Sequence, residues 1–238
     1  MGKNLIQQRR GRGTSTFRAP SFRYVGEISH KTLAQGTFRG KIVEFLHSQG
    51  HSAPIARIVY DDGDEILCAA PLGIKIGDEV FTGSEIEPKH GNTLPLDNIP
   101  EGTQIFNIES KPGDGGKFVR TSGGFAKIFA KLPGKVVVEL PSKKQREFNP
   151  SCRATVGIIA GGGRTEKPLL KAGKHYHKQR ARNKMYPRVC ALSMNAVDHP
   201  YGGSRSSKKG KVTIARRFAP PGAKVGKLRP RRTGRKNN

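Results

Sequence analysis

The sequence predicts an all-β protein whose two ends carry long, irregular and strongly basic extensions. Three observations carry that reading. Short β-prone runs recur with turn sequences between them roughly every ten residues, the spacing of small barrels or a sandwich. Almost no segment keeps a helical period over three turns. The charge is concentrated toward the ends of the chain.

The charge divides the 238 residues into four stretches. Residues 1–35 hold 7 basic and 1 acidic side chain, net +6. Residues 36–90 hold 5 and 9, net −4, and residues 91–165 hold 11 and 6, net +5. Residues 166–238 hold 21 and 2, net +19, and the formal total is +26. Self-repulsion of this size opposes compaction and implies a polyanionic partner. A membrane surface fits poorly. No apolar run approaches the roughly 18–20 residues that span a bilayer, and the Gly and Pro in the basic stretches interrupt an amphipathic helix.

Along the middle, the β-prone runs follow one another in order. Lys41–Leu46 is the first strand. Ile55–Tyr60 and Glu65–Ala70 flank the turn sequence Asp61-Asp-Gly-Asp64 and predict a hairpin. Glu79–Phe81 follows. Gly91-Asn-Thr-Leu-Pro-Leu-Asp-Asn-Ile-Pro100, with two prolines and no period, reads as an inter-domain connector. Beyond it, Gln104–Ile108, Ala126–Lys131, Val136–Leu140 and Gln145–Phe148 form a meander punctuated at Pro133-Gly134 and Pro141-Ser142, and Arg153–Ala160 is the last strand. Each half is near the lower size limit for an independent core.

The ends differ in kind. Residues 1–35 and 200–238 are rich in Gly, Arg, Lys, Ser and Pro, too poor in large apolar groups to offset ordering entropy by burial alone. Such arms can thread a structured RNA, where phosphate contacts and counterion release supply the ordering energy. The N-terminus has no signal-peptide pattern, and Cys68, Cys152 and Cys190 are widely spaced with no CxxC pair. Both fit a reducing, cytosolic setting in which thiols serve as small apolar side chains.

Enzyme signals are weak. Pro112-Gly-Asp-Gly-Gly-Lys117 resembles a phosphate loop only superficially, because Phe118 stands where Ser or Thr belongs. A turn whose backbone meets an RNA phosphate, or a plain β-turn, fits it better. His175-Tyr-His177 lacks a matching Cys or carboxylate pair, so no metal site is expected. No nucleophile stands beside a base. In Lys167–Arg188, by contrast, Lys171, Lys174, Lys178, Arg180, Arg182, Lys184 and Arg188 interleave with His175, Tyr176, His177 and Tyr186. Cations bind phosphates and rings stack on unpaired bases. The competing reading is a solvated basic helix. In Met194-Asn-Ala-Val-Asp-His-Pro-Tyr-Gly-Gly203, Pro200 biases His199 toward extended backbone. Gly202 and Gly203, with no Cβ, can bring the chain flush against another backbone.

That last string resembles the Asn-x-Val-Asp/Glu-His-Pro-x-Gly-Gly signature of the universal large-subunit ribosomal protein L-two family. Gly91–Pro100, Asn107-Ile-Glu-Ser-Lys-Pro-Gly-Asp-Gly-Gly116, Cys152-Arg-Ala-Thr-Val-Gly157 and Lys171-Ala-Gly173 resemble further family motifs in the same order. Tyr201, Ala196 and Arg216–Arg235 are similar to the archaeal and eukaryotic branch. The resemblance implies an OB-fold domain over 36–90 and an SH3-like barrel over 91–170, between a basic N-terminal extension (1–35) and a basic C-terminal extension (171–238). It also implies a structural role in the large subunit: binding its rRNA, supporting subunit association and shaping the RNA around the peptidyl transferase centre.

Read together, charge pattern and resemblance nominate Arg9, Arg10, Arg12, Arg120, Arg153, Lys171, Lys174, His175, Lys178, Arg180, Arg182, Arg188, His199, Gly202, Gly203, Arg216, Arg217, Arg231 and Arg232 as RNA contacts. His199 matches the family histidine near the peptidyl transferase centre. The implied partners are large-subunit rRNA, neighbouring ribosomal proteins and small-subunit rRNA at the interface, with no membrane and no homo-oligomer. No cofactor is expected beyond magnesium carried by the rRNA, and no catalytic residue. The alternatives are an architectural DNA-binding protein and an RNA-modifying enzyme on an OB fold.

Overall fold

The computed structural model describes residues 5–32, 36–204 and 214–228. The chain forms two compact units. One comprises residues 21–169; the other joins the described parts of 1–20 and 170–238.

The first unit is built on ten strands: β1 Phe38–Leu46, β2 Ile55–Tyr60, β3 Glu65–Ala69, β4 Glu79–Thr82, β5 Thr93–Pro95, β6 Gln104–Phe106, β7 Ala126–Leu132, β8 Lys135–Glu139, β9 Gln145–Phe148 and β10 Arg153–Val156. They hydrogen-bond in the order β3-β2-β1-β4-β5-β10-β6-β7-β8-β9. The predicted hairpin is present, with Ile55 opposite Ala69 and Val59 opposite Glu65. The meander β6-β7-β8-β9 is antiparallel throughout. A bulge between Ile42 and Glu44 shifts the β1–β2 register, and the extra residue, Val43, faces solvent. The two strand series meet in one parallel bridge, Thr82 to Thr93. There the hydroxyls of Thr93 and Thr155 are hydrogen-bonded at 3.0 Å.

Burial follows the alternation of each strand and collects in three clusters. Ile42, Ile58, Tyr60 and Val80 centre the first strand series. Leu94, Ile105, Ile128, Val138 and Phe148 centre the second. Ile28, Ile55, Phe106 and Ile159 form a third cluster drawing on both series.

Three expectations need correction. Gly91–Pro100 is not a surface connector: Leu94, Leu96 and Ile99 are fully buried, and Thr93–Pro95 is a strand paired with β10. The prolines masked its period without keeping it out of the sheet. Residues 28–31, counted above with the N-terminal extension, are built into this unit. Ile28 is buried, Ser29 N–H donates to Leu67 O, and Lys31 is 2% exposed. The last strand stops at Val156, because Gly157 adopts φ +122° and a Cβ there would lie 2.3 Å from the His90 ring.

In the second unit, α1 (Ile6–Gly11) and α2 (Ala172–Arg180) are its α-helices among the described residues, and β11 (Ile214–Ala215) pairs in parallel with β12 (Lys227–Leu228). Asn183 ties its parts together. The side-chain amide donates to Ser15 O at 3.0 Å and Arg18 O at 2.8 Å, so the two basic ends are joined by a contact no local pattern announces. All three cysteines are free. Burial raises the thiol pKa of Cys68 to about 12 and also raises that of Cys152. Cys190 is exposed and does not fit the apolar role expected of it.

Candidate nucleic-acid interface

The basic helix α2 exposes the side chains expected to bind phosphate. Lys171, Lys174, Lys178 and Arg180 are all exposed, and α2 has no acidic residue in its first turn and no buried residue. A nine-residue helix that is polar all round lacks an apolar face to hold it. His175 supplies part of the substitute. Its ring stacks on Tyr186, with centroids 4.5 Å apart and planes 10° apart, and its Nε2 is 2.8 Å from the side-chain nitrogen of Gln179. The His175 and Tyr186 faces are therefore partly spent on each other rather than waiting for bases.

Met194–Gly203 folds back on itself. Asp198 and His199 N–H groups donate to Asn195 O, Gly202 N–H to His199 O, and Gly203 N–H to Met194 O at 3.1 Å. A Cβ on Gly202 would lie 2.3 Å from Asn195 O and 2.5 Å from Met194 O. The backbone that Gly202 approaches is thus its own chain's. His199 is 8% exposed, and its Nδ1 accepts a hydrogen bond from Tyr201 N–H at 3.0 Å. The imidazole is thus held by the backbone of the residue two positions on.

Two nominated arginines face inward. Arg153 is 2% exposed. Its Nη2 and Nε donate to Oε1 of the fully buried Glu109 at 2.7 and 3.1 Å, and its Nη1 donates to Lys31 O. The guanidinium expected to meet RNA is instead committed to partners inside the protein. Arg120 is half-buried and donates to Ile28 O at 2.8 Å and Gly116 O at 3.2 Å, so it too works as an internal brace.

Glu109 organises its neighbours as well. Besides Arg153, it accepts from the backbone N–H groups of Arg153, Gly113 and Gly115. Asp114 accepts those of Ser110, Lys111 and Gly116. The loop that superficially resembled a phosphate cradle has its amides turned onto the protein's own carboxylates, which overturns the RNA-phosphate reading of it. Burial pushes the Glu109 carboxyl up, yet the hydrogen bonds and charge of Arg153 outweigh it and leave the pKa below the ordinary value. Burial, helped by the nearby Arg153 charge, lowers His30 to about 4. Burial also disfavours the Lys31 ammonium, but Asp62 and Asp64 more than offset this, and its pKa is raised.

Comparison with known proteins gives this arrangement a family. Residues 89–221 match the family model described as Ribosomal Proteins L2, C-terminal domain. The chain belongs to the L2 family of ribosomal proteins. Among its relatives, large ribosomal subunit protein uL2 of Methanothermobacter thermautotrophicus is 49% identical over 240 residues, covering 99% of this chain and 100% of that protein. The uL2 of Haloquadratum walsbyi is 51% identical over 239 residues, 100% of this chain and 98% of its own length. That of Haloarcula marismortui is 48% identical over 239 residues and the full length of both. The span matched by the L2 model includes both the Glu109–Arg153 pair and the Met194–Gly203 loop.

The remaining nominated residues of this L2-family chain divide by place. Arg9 and Arg10 lie on α1 and Arg12 caps its end. Arg182 is half-buried, whereas Arg188, Arg216 and Arg217 are exposed, the last with its guanidinium 5.3 Å from the centroid of the Phe218 ring. Arg231 and Arg232 lie outside the described residues. Among the described residues no cluster of three His, Cys, Asp or Glu could hold a metal ion. Among the described residues no helix is long and apolar enough to cross a membrane. The residues missed at the outset are Glu109, His30 and Lys31. Each is a polar residue buried among buried neighbours, Ile108 beside Glu109 and Ile28 near His30 and Lys31, and burial is not written in composition.

Proposed function

We propose that this chain is a structural constituent of the large subunit of the cytoplasmic ribosome, holding rRNA in place by positioning rather than by covalent chemistry. In this reading the strand series over 36–90 is an OB-fold barrel and that over 91–170 an SH3-like barrel. The separate apolar clusters around Val80 and around Leu94 support that division. Exposed cations of the second unit bind phosphates, which fix orientation without reading sequence. The same surface meets neighbouring ribosomal proteins and small-subunit rRNA at the interface, and Met194–Gly203 packs into RNA near the peptidyl transferase centre. The protein needs no cofactor of its own; magnesium arrives with the RNA. His199 acts by shape and hydrogen bonding.

The observation that carries this reading is a helix that, counting its N-cap Lys171, carries four exposed cations and has no buried residue, in a chain of net charge +26 that belongs to the L2 family. Competition is the test: an rRNA fragment and duplex DNA of matched length are offered to the full chain at moderate salt. The rRNA fragment is expected to win, and the protein to co-sediment with large subunits. Equal affinity for the two nucleic acids, with no co-sedimentation, would contradict the proposal. Turnover of purified RNA would contradict the non-enzymatic part.

A further inference from the structure

A cavity of about 810 Å³ lies within the second unit, lined by α1 and its N-terminal flank and by residues between Met185 and His199. That volume falls in the range of small-ligand sites. Its walls combine two chemistries. Leu5, Met185, Val189 and Met194 give it apolar and thioether surface, while Arg9, Arg10 and Arg188 bring three guanidinium groups to the same space. The facing carboxylate is Asp198, so the formal balance of the lining is +2, three cations less one anion. None of the three arginines forms an ion pair among the described residues.

A hollow of mixed lining whose cations outnumber its one carboxylate favours a ligand with two faces: an anion for the arginines and a flat, weakly hydrated surface for the apolar walls. A paired RNA segment offers the anion only, because its bases are already stacked. An acidic peptide likewise offers charge without a flat face. An unstacked nucleotide offers both. We propose that this cavity receives a single unpaired nucleotide of the bound RNA. Its phosphate sits against Arg9, Arg10 and Arg188, where a guanidinium can pair with phosphate oxygens two at a time. The base lies against Leu5, Met185, Val189 and Met194. The ionised Asp198 carboxylate can only accept hydrogen bonds, so it selects a base edge rich in N–H donors, and guanine presents more of them than uracil does.

The inference deepens the RNA-binding reading and rests on it, and the experiment separates the two. The full-length protein is titrated with a fully paired hairpin RNA and with the same hairpin carrying one bulged 2-aminopurine, whose fluorescence reports capture. The bulged hairpin is expected to bind about tenfold more tightly, the scale of one stacked base. Ala191→Trp, which fills the cavity from its wall, abolishes that preference and leaves affinity for the paired hairpin unchanged. Arg188→Gln changes an exposed side chain and serves should Ala191→Trp not fold; it reduces the preference as well. In a third comparison a bulged guanosine outcompetes a bulged uridine, and Asp198→Asn narrows the gap. Equal binding of bulged and paired hairpins, or a preference that survives both substitutions, overturns the cavity assignment and leaves general RNA binding intact. Failure to bind either hairpin even at low salt overturns both.

Discussion

Arg153 keeps its charge inside the protein, and the neighbours that accept it decide what its loss does. Glu109 is fully buried and accepts two hydrogen bonds from the Arg153 side chain and one from its backbone. Removing one partner of a buried pair strands the other charge without water. Arg153→Ala is therefore expected to lower unfolding stability by about 3–5 kcal/mol, measured by urea denaturation. The salt dependence of RNA binding should not change. A flatter salt dependence at unaltered stability would make Arg153 a phosphate contact after all. His30, beside this pair, gives a pH signature. Its folded pKa of about 4 lies below the ordinary 6.5, so the unfolded chain takes up a proton that the folded chain refuses. Stability is full above pH 6.5 and falls as the pH drops toward 4, by about 3 kcal/mol over that window. His30→Gln should flatten this part of the stability profile; an unaltered slope between pH 6.5 and 4 would refute the assignment. Glu109, whose pKa is also lowered, adds a further loss of the same sign at more acid pH. None of this was legible in the sequence. Glu109 and Arg153 stand 44 residues apart, and neither charge nor spacing says that both are buried.

Elements divide by how local their causes are. The β2–β3 hairpin could be read directly, since Asp61-Asp-Gly-Asp64 both turns the chain and separates two β-prone runs. The β7–β8 pair was legible for the same reason, with Pro133-Gly134 at its turn. The stretch Gly91–Pro100 was not. Its prolines mask the strand spacing of Leu94 and Leu96, and its pairing partner β10 arrives from some sixty residues downstream in the register Ala154 to Leu94. Leu94 is accordingly a core residue. Leu94→Ala is expected to cost about 2–5 kcal/mol in a urea titration; a change within about 0.5 kcal/mol is what a surface linker would give, and that result would count against the core assignment. The basic helix α2 was anticipated as the plainer of two readings of Lys167–Arg188. The His175–Tyr186 stack that steadies it depends on a side chain beyond the end of the helix at Arg180, which no helical period relates to His175.

At the scale of the molecule, the division of labour lies between a body that buries its polar residues in pairs and a cationic unit that pairs few of them. Residues 200–238 hold 13 Lys and Arg and no Asp or Glu, and composition alone predicts a polyanion-binding segment there. That the described parts of both ends share one compact unit, with Asn183 hydrogen-bonded to Ser15 and Arg18, was beyond composition because the contact spans 165 residues or more. If these cations bind phosphate, each contact formed releases counterions, and the logarithm of the binding constant falls linearly with the logarithm of salt, by roughly 0.7–0.9 per phosphate. The most direct measurement is that slope for an rRNA fragment, taken with the full chain and with a version ending at residue 199. The slope is predicted to be steep for the full chain and clearly shallower for the shortened one, with weaker incorporation into large subunits. Equal slopes for the two proteins would mean that the basic extension does not neutralise RNA phosphates, and would contradict the account.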